Sequence, residues 1–214
     1  MMKIALIGAT GFVGKEILKE AAARGDSVTA LVRNPAKVEK LGGVTAVEAD
    51  ALDTAALSEQ LKGHDVVISA YNPGWAEPDI QAVHIKASKS ITEATKTAGV
   101  KRLIVIGGAG SLYAEDGTQF VDGAHFPAEY KEGALGARQA LTDLRAETAI
   151  DWSFVSPPFN LAPGPRTGKY RLGKENPVFD AEGKSAISAS DLAVAIIDEA
   201  HNPKHKQQRF TAAY

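Results

Sequence analysis

The residues best suited to do chemistry lie near the start of the chain. Gly8-Ala9-Thr10-Gly11-Phe12-Val13-Gly14 is a GxxGxxG run between a short apolar segment ending at Ile7 and a stretch with helical spacing. A phosphate can approach backbone N–H groups only where side chains do not block it, and a helix N-terminus adds partial positive charge. Gly8 permits the tight turn, Gly11 leaves room for a pyrophosphate, and Gly14 lets the helix lie against the strand. A glycine motif alone is a weak signal, but this one sits between a strand and a helix, where the chemistry needs it. The expectation is a dinucleotide site built on Gly8, Thr10, Gly11, Phe12, Val13 and Gly14. The competing interpretation is a plain glycine-rich turn.

The second strand carries the next chemical signal. Proteins that bind NAD(H) usually place Asp or Glu there, about 20 residues past the glycine loop, to bond the ribose hydroxyls. Here the strand ends LVRNPAK, without an acid and with Arg33 and Lys37 close by. A carboxylate would repel a 2′-phosphate, whereas a guanidinium can hold one with two parallel hydrogen bonds. The pattern favours NADP(H), with NAD(H) as the alternative. Arg33 would then read the phosphate, unless it only covers the sheet surface or stacks on adenine.

These residues need a frame. Apolar runs at Met2 to Ile7, Ser27 to Val32, Val44 to Glu48, Asp65 to Ala70, Lys101 to Ile106 and Asp151 to Ser156 read as buried strands. Helical spacing covers Phe12 to Arg24, about Asp79 to Ala98 and roughly Tyr130 to Glu147. Gly25 and Gly99 serve as stops, and Asp53 caps a helix after the third strand. Ser188 to Asp191 (SASD) forms a capping box for a last helix to about His201. Apolar strands alternating with helices predict an α/β fold, a Rossmann-type doubly wound parallel sheet in the order 3-2-1-4-5-6 with helices on both faces. QRFTAA adds a short C-terminal strand, and Lys204, Lys206 and Arg209 before and within it read as a solvated basic tail. One domain over 1–214 is expected, with loops 112–127 and 157–187 as walls of a substrate pocket.

Composition narrows the function classes. With no cysteine, the chain cannot use a disulfide, a thiolate nucleophile or a cysteine-ligated metal. A formal net charge of -2 gives no basic surface for nucleic acid or an anionic membrane. The first apolar run is too short for a signal-peptide core and no later run reaches a membrane span, so a cytoplasmic location is expected. A small-molecule partner is expected, and a homo-oligomer is left open. His201 and His205 straddle Pro203, which breaks the helix that would align them on a metal, so no metal site is expected.

GATGFVG, LVRNPAK, the EADALD run at Glu48 to Asp53, and VISAYNPG together resemble the atypical short-chain dehydrogenase/reductases. SPPFNLAPGPRTGKYRLG and ISASDLAVAIIDEA are similar to the NAD(P)H-binding, NmrA-like branch that carries the name NADH-flavin reductase. The likeness spans essentially the whole chain. It implies that Asp50 contacts adenine, with Ala51 and Leu52 along the base. It implies that Ser69, Ala70 and Tyr71 pass the nicotinamide ribose, and that Pro157, Pro158 and Phe159 border the nicotinamide. A turn-capping role for Asp50 is the alternative.

The chain departs from this superfamily at the catalytic pair. Typical members carry YxxxK, in which the lysine lowers the tyrosine pKa for proton transfer. Tyr130 has Ala134 at the fourth place, and Lys131 beside it points another way on a helix. Tyr170 and Lys174 match the letters but fall in a Gly-rich loop after the sixth strand, and are rejected as that pair. Ser111, His125 and Tyr130 remain as weak catalytic candidates. Hydride transfer to a flavin asks little of the protein beyond proximity and orientation. Tyr71, Trp75, Tyr113, Phe120, Phe126 and Phe159 are available to face a planar acceptor, with about half of them expected to pack inward instead. The expectation is an NAD(P)H-dependent reductase of a flavin, quinone or similar planar acceptor, with flavin as a substrate rather than a tightly bound group. The alternatives are a non-catalytic NmrA-like NADP(H) sensor and a sugar-nucleotide epimerase or dehydratase.

Overall fold

The computed structural model describes residues 1–214. In chain order, the N-terminal half contains β1 (Lys3–Ile7), α1 (Gly14–Ala23), β2 (Ser27–Val32), β3 (Val44–Glu48), α2 (Thr54–Leu61), β4 (Val66–Ser69) and α3 (Ile80–Thr97). It continues with β5 (Arg102–Ile106), α4 (Ala128–Arg145), β6 (Asp151–Ser156), β7 (Asn160–Ala162), β8 (Arg171–Gly173), β9 (Ala186–Ser188), α5 (Ala189–His201) and β10 (Gln208–Ala213). The expected strand order is present and extended: β3-β2-β1-β4-β5-β6-β10-β8, parallel throughout except for β8. The β7 and β9 strands form a separate parallel pair.

Strand alternation builds two apolar layers. Ile4 and Leu6 face one side, where they pack with Ile17 and Leu18 of α1 and Ile196 of α5. Ala5 and Ile7 face the other, with Leu57 of α2, Ile91 of α3 and Leu141 of α4. Each fully buried Ile or Leu stabilises the fold by about 1.5–3 kcal/mol, so both faces are firmly covered. The strands therefore read as continuous apolar runs because neither face meets water.

Local capping follows the sequence in part. The Asp53 side chain accepts from Ala56 N–H at 3.0 Å, and Ser188 Oγ accepts from Asp191 N–H at 2.9 Å. The reciprocal half of the expected capping box is absent. Ser188 N–H donates to the Tyr214 hydroxyl, which in turn donates to Asp191 at 2.7 Å. Asp191 also accepts from Thr167 N–H and Gly168 N–H, each at 2.8 Å. The carboxylate thus ties the loop after β7 to α5 instead of closing its own helix.

The solvated basic tail is corrected by the structure. β10 lies inside the sheet, parallel to β6 and antiparallel to β8. Arg209 is only 2% exposed, and its guanidinium donates to Ser111 Oγ and Ser156 Oγ at 3.1 Å and to Glu175. His205 is buried too, with Nδ1 2.8 Å from a Glu199 carboxylate that also pairs with Arg102 at 2.7 Å. Buried charge is tolerated here because Arg102, Glu199 and Arg209 each have several partners. Of the expected tail, only Lys204 and Lys206 stay exposed.

Candidate functional site

β1 ends at Ile7, and the chain turns sharply because Gly8 has φ +80°. A side chain at Gly8 would place its Cβ 2.6 Å from the Ala70 carbonyl oxygen, and one at Gly14 would lie 2.0 Å from the Gly8 carbonyl oxygen. Gly11 differs: the nearest atom to a Cβ there is the Gly8 oxygen at 3.3 Å, so its outer side is open. Helix α1 begins without a side-chain cap. The N–H groups of Phe12, Val13 and Gly14 hydrogen-bond to no other protein group. Open space above Gly11 and uncapped donors at a helix start together form a cradle for an anion.

A cavity of about 360 Å³ runs from this loop toward β2 and β3. Among its lining residues are Gly8, Thr10 and Gly11 from the loop, Arg33 after β2, Asp50, Ala51 and Leu52 after β3, and Ala70 and Tyr71 after β4. All follow C-terminal ends of neighbouring parallel strands, on both sides of β1, where the strand order reverses; such switch points are where open α/β sheets bind ligands. Arg33 is exposed and forms no salt bridge. Asp50 lines the cavity while its Oδ1 accepts from Leu52 N–H at 2.9 Å, so it fulfils the turn-capping role as well. Burial pushes the Tyr71 phenol above its ordinary pKa; Arg33 opposes this, and Asp50 and Glu77 add to it.

Other expected residues lie elsewhere. Ser69 is 4% exposed and lines a separate cavity of about 200 Å³ beneath α3 and α4. Ser69 lies on the Val67 side of the sheet, in register with Ile7, which lines the larger cavity, so it sits beside that cleft without being part of its lining. Lys37 is exposed in a short 3₁₀ turn, Pro35–Lys37, outside the cavity. Phe12 is exposed, with the Lys15 ammonium 5.8 Å from its ring centre, and Val13 and Gly14 contribute backbone rather than lining. Pro157 and Phe159 also lie outside this cavity, at the end of β6.

The catalytic candidates do not converge. Ser111 is buried, and its hydroxyl accepts from Arg209, which makes it a structural partner rather than a group offered to a ligand. His125 is exposed. Tyr130 is 47% exposed on the first turn of α4, with its ring centre 5.1 Å from that of Trp75 in an edge-on pair. The Tyr170 hydroxyl donates to Asp198, and burial raises its pKa, so it is committed to α5. Of the remaining aromatics, Tyr113 packs by Arg209 and Phe126 by Gly110, whereas Phe120 meets Phe159 at 4.7 Å between ring centres.

Sequence reasoning missed Asn72, Pro73, Glu77 and Val83 as lining residues. The turn-forming composition of Asn72-Pro73-Gly74 just past β4 was the available signal; Glu77 offered none. Nor was His84 singled out. It is 5% exposed on α3, makes no hydrogen bond, and stands edge-on behind Tyr71 at 6.3 Å. Burial pushes its pKa down to about 4, so the ring is neutral near pH 7.

A strand–glycine loop–helix with an anion cradle at the switch point of a doubly wound sheet defines a Rossmann-type dinucleotide-binding protein. The family model for NAD(P)H-binding proteins matches residues 8–203, and the chain belongs to that family. Its cofactor is a nicotinamide dinucleotide. The chain is 41% identical over 213 residues to the YwnB protein of Bacillus subtilis (strain 168), covering 98% of this chain and 97% of that one. A Bacteroides thetaiotaomicron structure, provisionally named an epimerase, is 41% identical with a TM-score of 0.92, covering 100% of this chain and 97% of that one. A Streptococcus pneumoniae structure, provisionally named an NADH-flavin reductase, is 34% identical with a TM-score of 0.88, covering 100% and 99%. No helix is long and apolar enough to cross a membrane.

Proposed function

We propose that the protein is an NADPH-dependent reductase of a planar acceptor, a flavin or a quinone, which it takes as a substrate and releases reduced. The observation that carries the NADPH preference is Arg33: a guanidinium without a salt bridge lines the cavity that starts at the glycine loop, and no carboxylate stands beside it on β2. A 2′-phosphate needs such a partner and a free ribose does not. The open side of Gly11 and the uncapped N–H groups of Phe12, Val13 and Gly14 fit the pyrophosphate. Asp50, Ala51 and Leu52 border the adenine, and Ala70 and Tyr71 follow the cleft past β4.

When bound, the reduced nicotinamide supplies a hydride that, with a proton from solvent, converts the oxidised acceptor to its two-electron reduced form. The protein's share is to hold the two rings together and to exclude side reactions. Tyr130 faces Ala134 rather than a lysine one turn on, which suits acceptors that need no proton from the protein. The same lack speaks against a sugar-nucleotide epimerase. Cytoplasmic NADPH pools would supply such an enzyme, and loops 112–127 and 157–187 would close its acceptor side.

Steady-state oxidation of NADPH and NADH, with FMN, riboflavin, menadione and simple carbonyl compounds as acceptors, tests this reading. Turnover with flavin or quinone and a lower KM for NADPH is expected. Tight NADPH binding without turnover on any acceptor would make the protein a nucleotide sensor instead.

A further inference from the structure

We propose that the cavity between α3 and α4 is a second binding site, which takes a short primary alkylamine as its ammonium ion. The site is independent of the reductase reading. It lies on the α3 and α4 side of the sheet, apart from the cleft that starts at the glycine loop.

Close contact between the two helices gives way to this cavity along their length. A Cβ at Gly136 would lie 2.9 Å from His84 Cβ, and one at Gly133 would lie 3.3 Å from Ile80 Cδ1, so the first halves of α3 and α4 touch. Further along, the helices leave about 200 Å³ between them. Ile91, Val105, Ala140 and Leu144 give this space an apolar lining, and Ser69 meets it at the end of β4. The volume equals the share of about six or seven waters in the liquid, which is room for an ammonium group on roughly four or five carbons.

Charge selects the occupant. Two lysines and three carboxylates line the cavity, which leaves one negative charge in excess. Lys96 is held by Glu93 at 2.9 Å and by Glu147 at 3.1 Å. Asp143 is not satisfied in the same way. Its Oδ1 accepts from Gln139 Nε2 at 2.8 Å, but its Oδ2 is buried without a donor. The Lys89 ammonium stands 3.8 Å from that oxygen, too far for a hydrogen bond. Ser69 points the same way: it is 4% exposed, and its hydroxyl bonds to no protein group. A buried acceptor without a donor is costly, so a ligand that supplies one gains more than its apolar area alone would give. An ammonium offers three donors and no acceptor, which suits carboxylate and hydroxyl oxygens. Lys89 is its competitor. That side chain is 63% exposed and free to turn to water when another cation enters at Asp143.

The probe is n-butylamine near neutral pH, where it is protonated, with 1-butanol and butyrate as neutral and anionic analogues of the same chain. In an NMR titration, the methyl groups of Ile91, Val105 and Leu144 should shift with a Kd of about 1 mM for the amine, and both analogues should bind at least about tenfold more weakly. Asp143→Asn should weaken the amine at least about tenfold, and Ser69→Ala about threefold. Lys89→Met should tighten it about threefold, because it removes the competing cation, and a gain in affinity is not what loss of fold produces. No methyl shift up to about 50 mM amine overturns the site. Binding of 1-butanol as tight as that of the amine reduces the cavity to an apolar crevice and overturns the assignment. So does unaltered amine affinity in Asp143→Asn, or a loss of affinity in Lys89→Met. A wild-type dimer that butylamine disperses assigns the cavity to a lysine side chain of a second copy and overturns the free amine as its ligand.

Discussion

Replacing Arg33 by Ala isolates the 2′-phosphate interaction with little collateral damage. The side chain is exposed and forms no salt bridge, so its removal should change folding stability by no more than about 0.5 kcal/mol. The effect on binding follows from Coulomb's law. A phosphate monoester carries about 1.5–2 negative charges near neutral pH, and one unit pair at about 4 Å in water is worth about 1 kcal/mol. Arg33 then contributes about 1.5–2 kcal/mol to NADPH and nothing comparable to NADH. NADPH affinity should fall about 10–30-fold in Arg33→Ala, with NADH affinity within about twofold of the wild type. Because the site is open to solvent, the difference should shrink as ionic strength rises past about 0.15 M. Calorimetric titration of both nucleotides at low and high salt measures it. An equal loss for the two nucleotides would mean that Arg33 touches the adenine or pyrophosphate, and an unchanged NADPH-to-NADH ratio would mean that another group reads the phosphate.

The glycine loop separates binding from folding. Gly11→Val should leave the fold intact and weaken dinucleotide binding at least about tenfold, whereas Gly14→Ala forces a Cβ to 2.0 Å from the Gly8 carbonyl oxygen. The latter should cost about 1–3 kcal/mol, seen as a Tm drop of several degrees by circular dichroism; a Gly14→Ala protein as stable as the wild type would contradict the close approach. Tyr130→Phe should retain most NADPH oxidation with flavin, since Ala134 supplies no lysine partner; its selective loss with nucleotide affinity intact would restore the tyrosine as an acid. His84 makes stability pH-dependent. Its folded-state pKa is pushed from 6.5 down to about 4 by burial, so the unfolded chain takes up the proton first. Its contribution is complete above the unfolded pKa and drains away between those two values as pH falls, by about 3 kcal/mol at most. Urea unfolding at pH 7, 6 and 5 should show a shallower decline in His84→Leu, and an identical decline in both proteins would show that other groups carry it.

Much of the frame was legible in the residues alone because its signals are local. β2, β3 and β6 fall where the apolar runs place them, and Asp53, Ser188 and Gly99 mark helix boundaries through contacts or backbone angles within a few residues. The glycine loop reads directly because Gly8 and Gly14 answer to backbone geometry, which no other residue type satisfies at that spacing. Arg33 and Asp50 reach the cavity because the ends of parallel strands lie side by side once the strand order is set. Tertiary structure decided what depends on distant partners. Arg209 reads as a solvated cation until β10 enters the sheet and brings Ser111, 98 positions away, against its guanidinium. Ser69 stands at the right strand end, in register with Ile7, but α3 and α4 cover it and give it a separate cavity. Asp191 looks like half of a local cap, yet Tyr214 and Thr167 reach it first. Phe179 joins Phe159 only through the folding of the segment between them, whose short strands β7 and β8 leave no periodicity to read. Periodicity and capping record energies between near neighbours in the chain, whereas these pairings are set by which surfaces the finished sheet brings together.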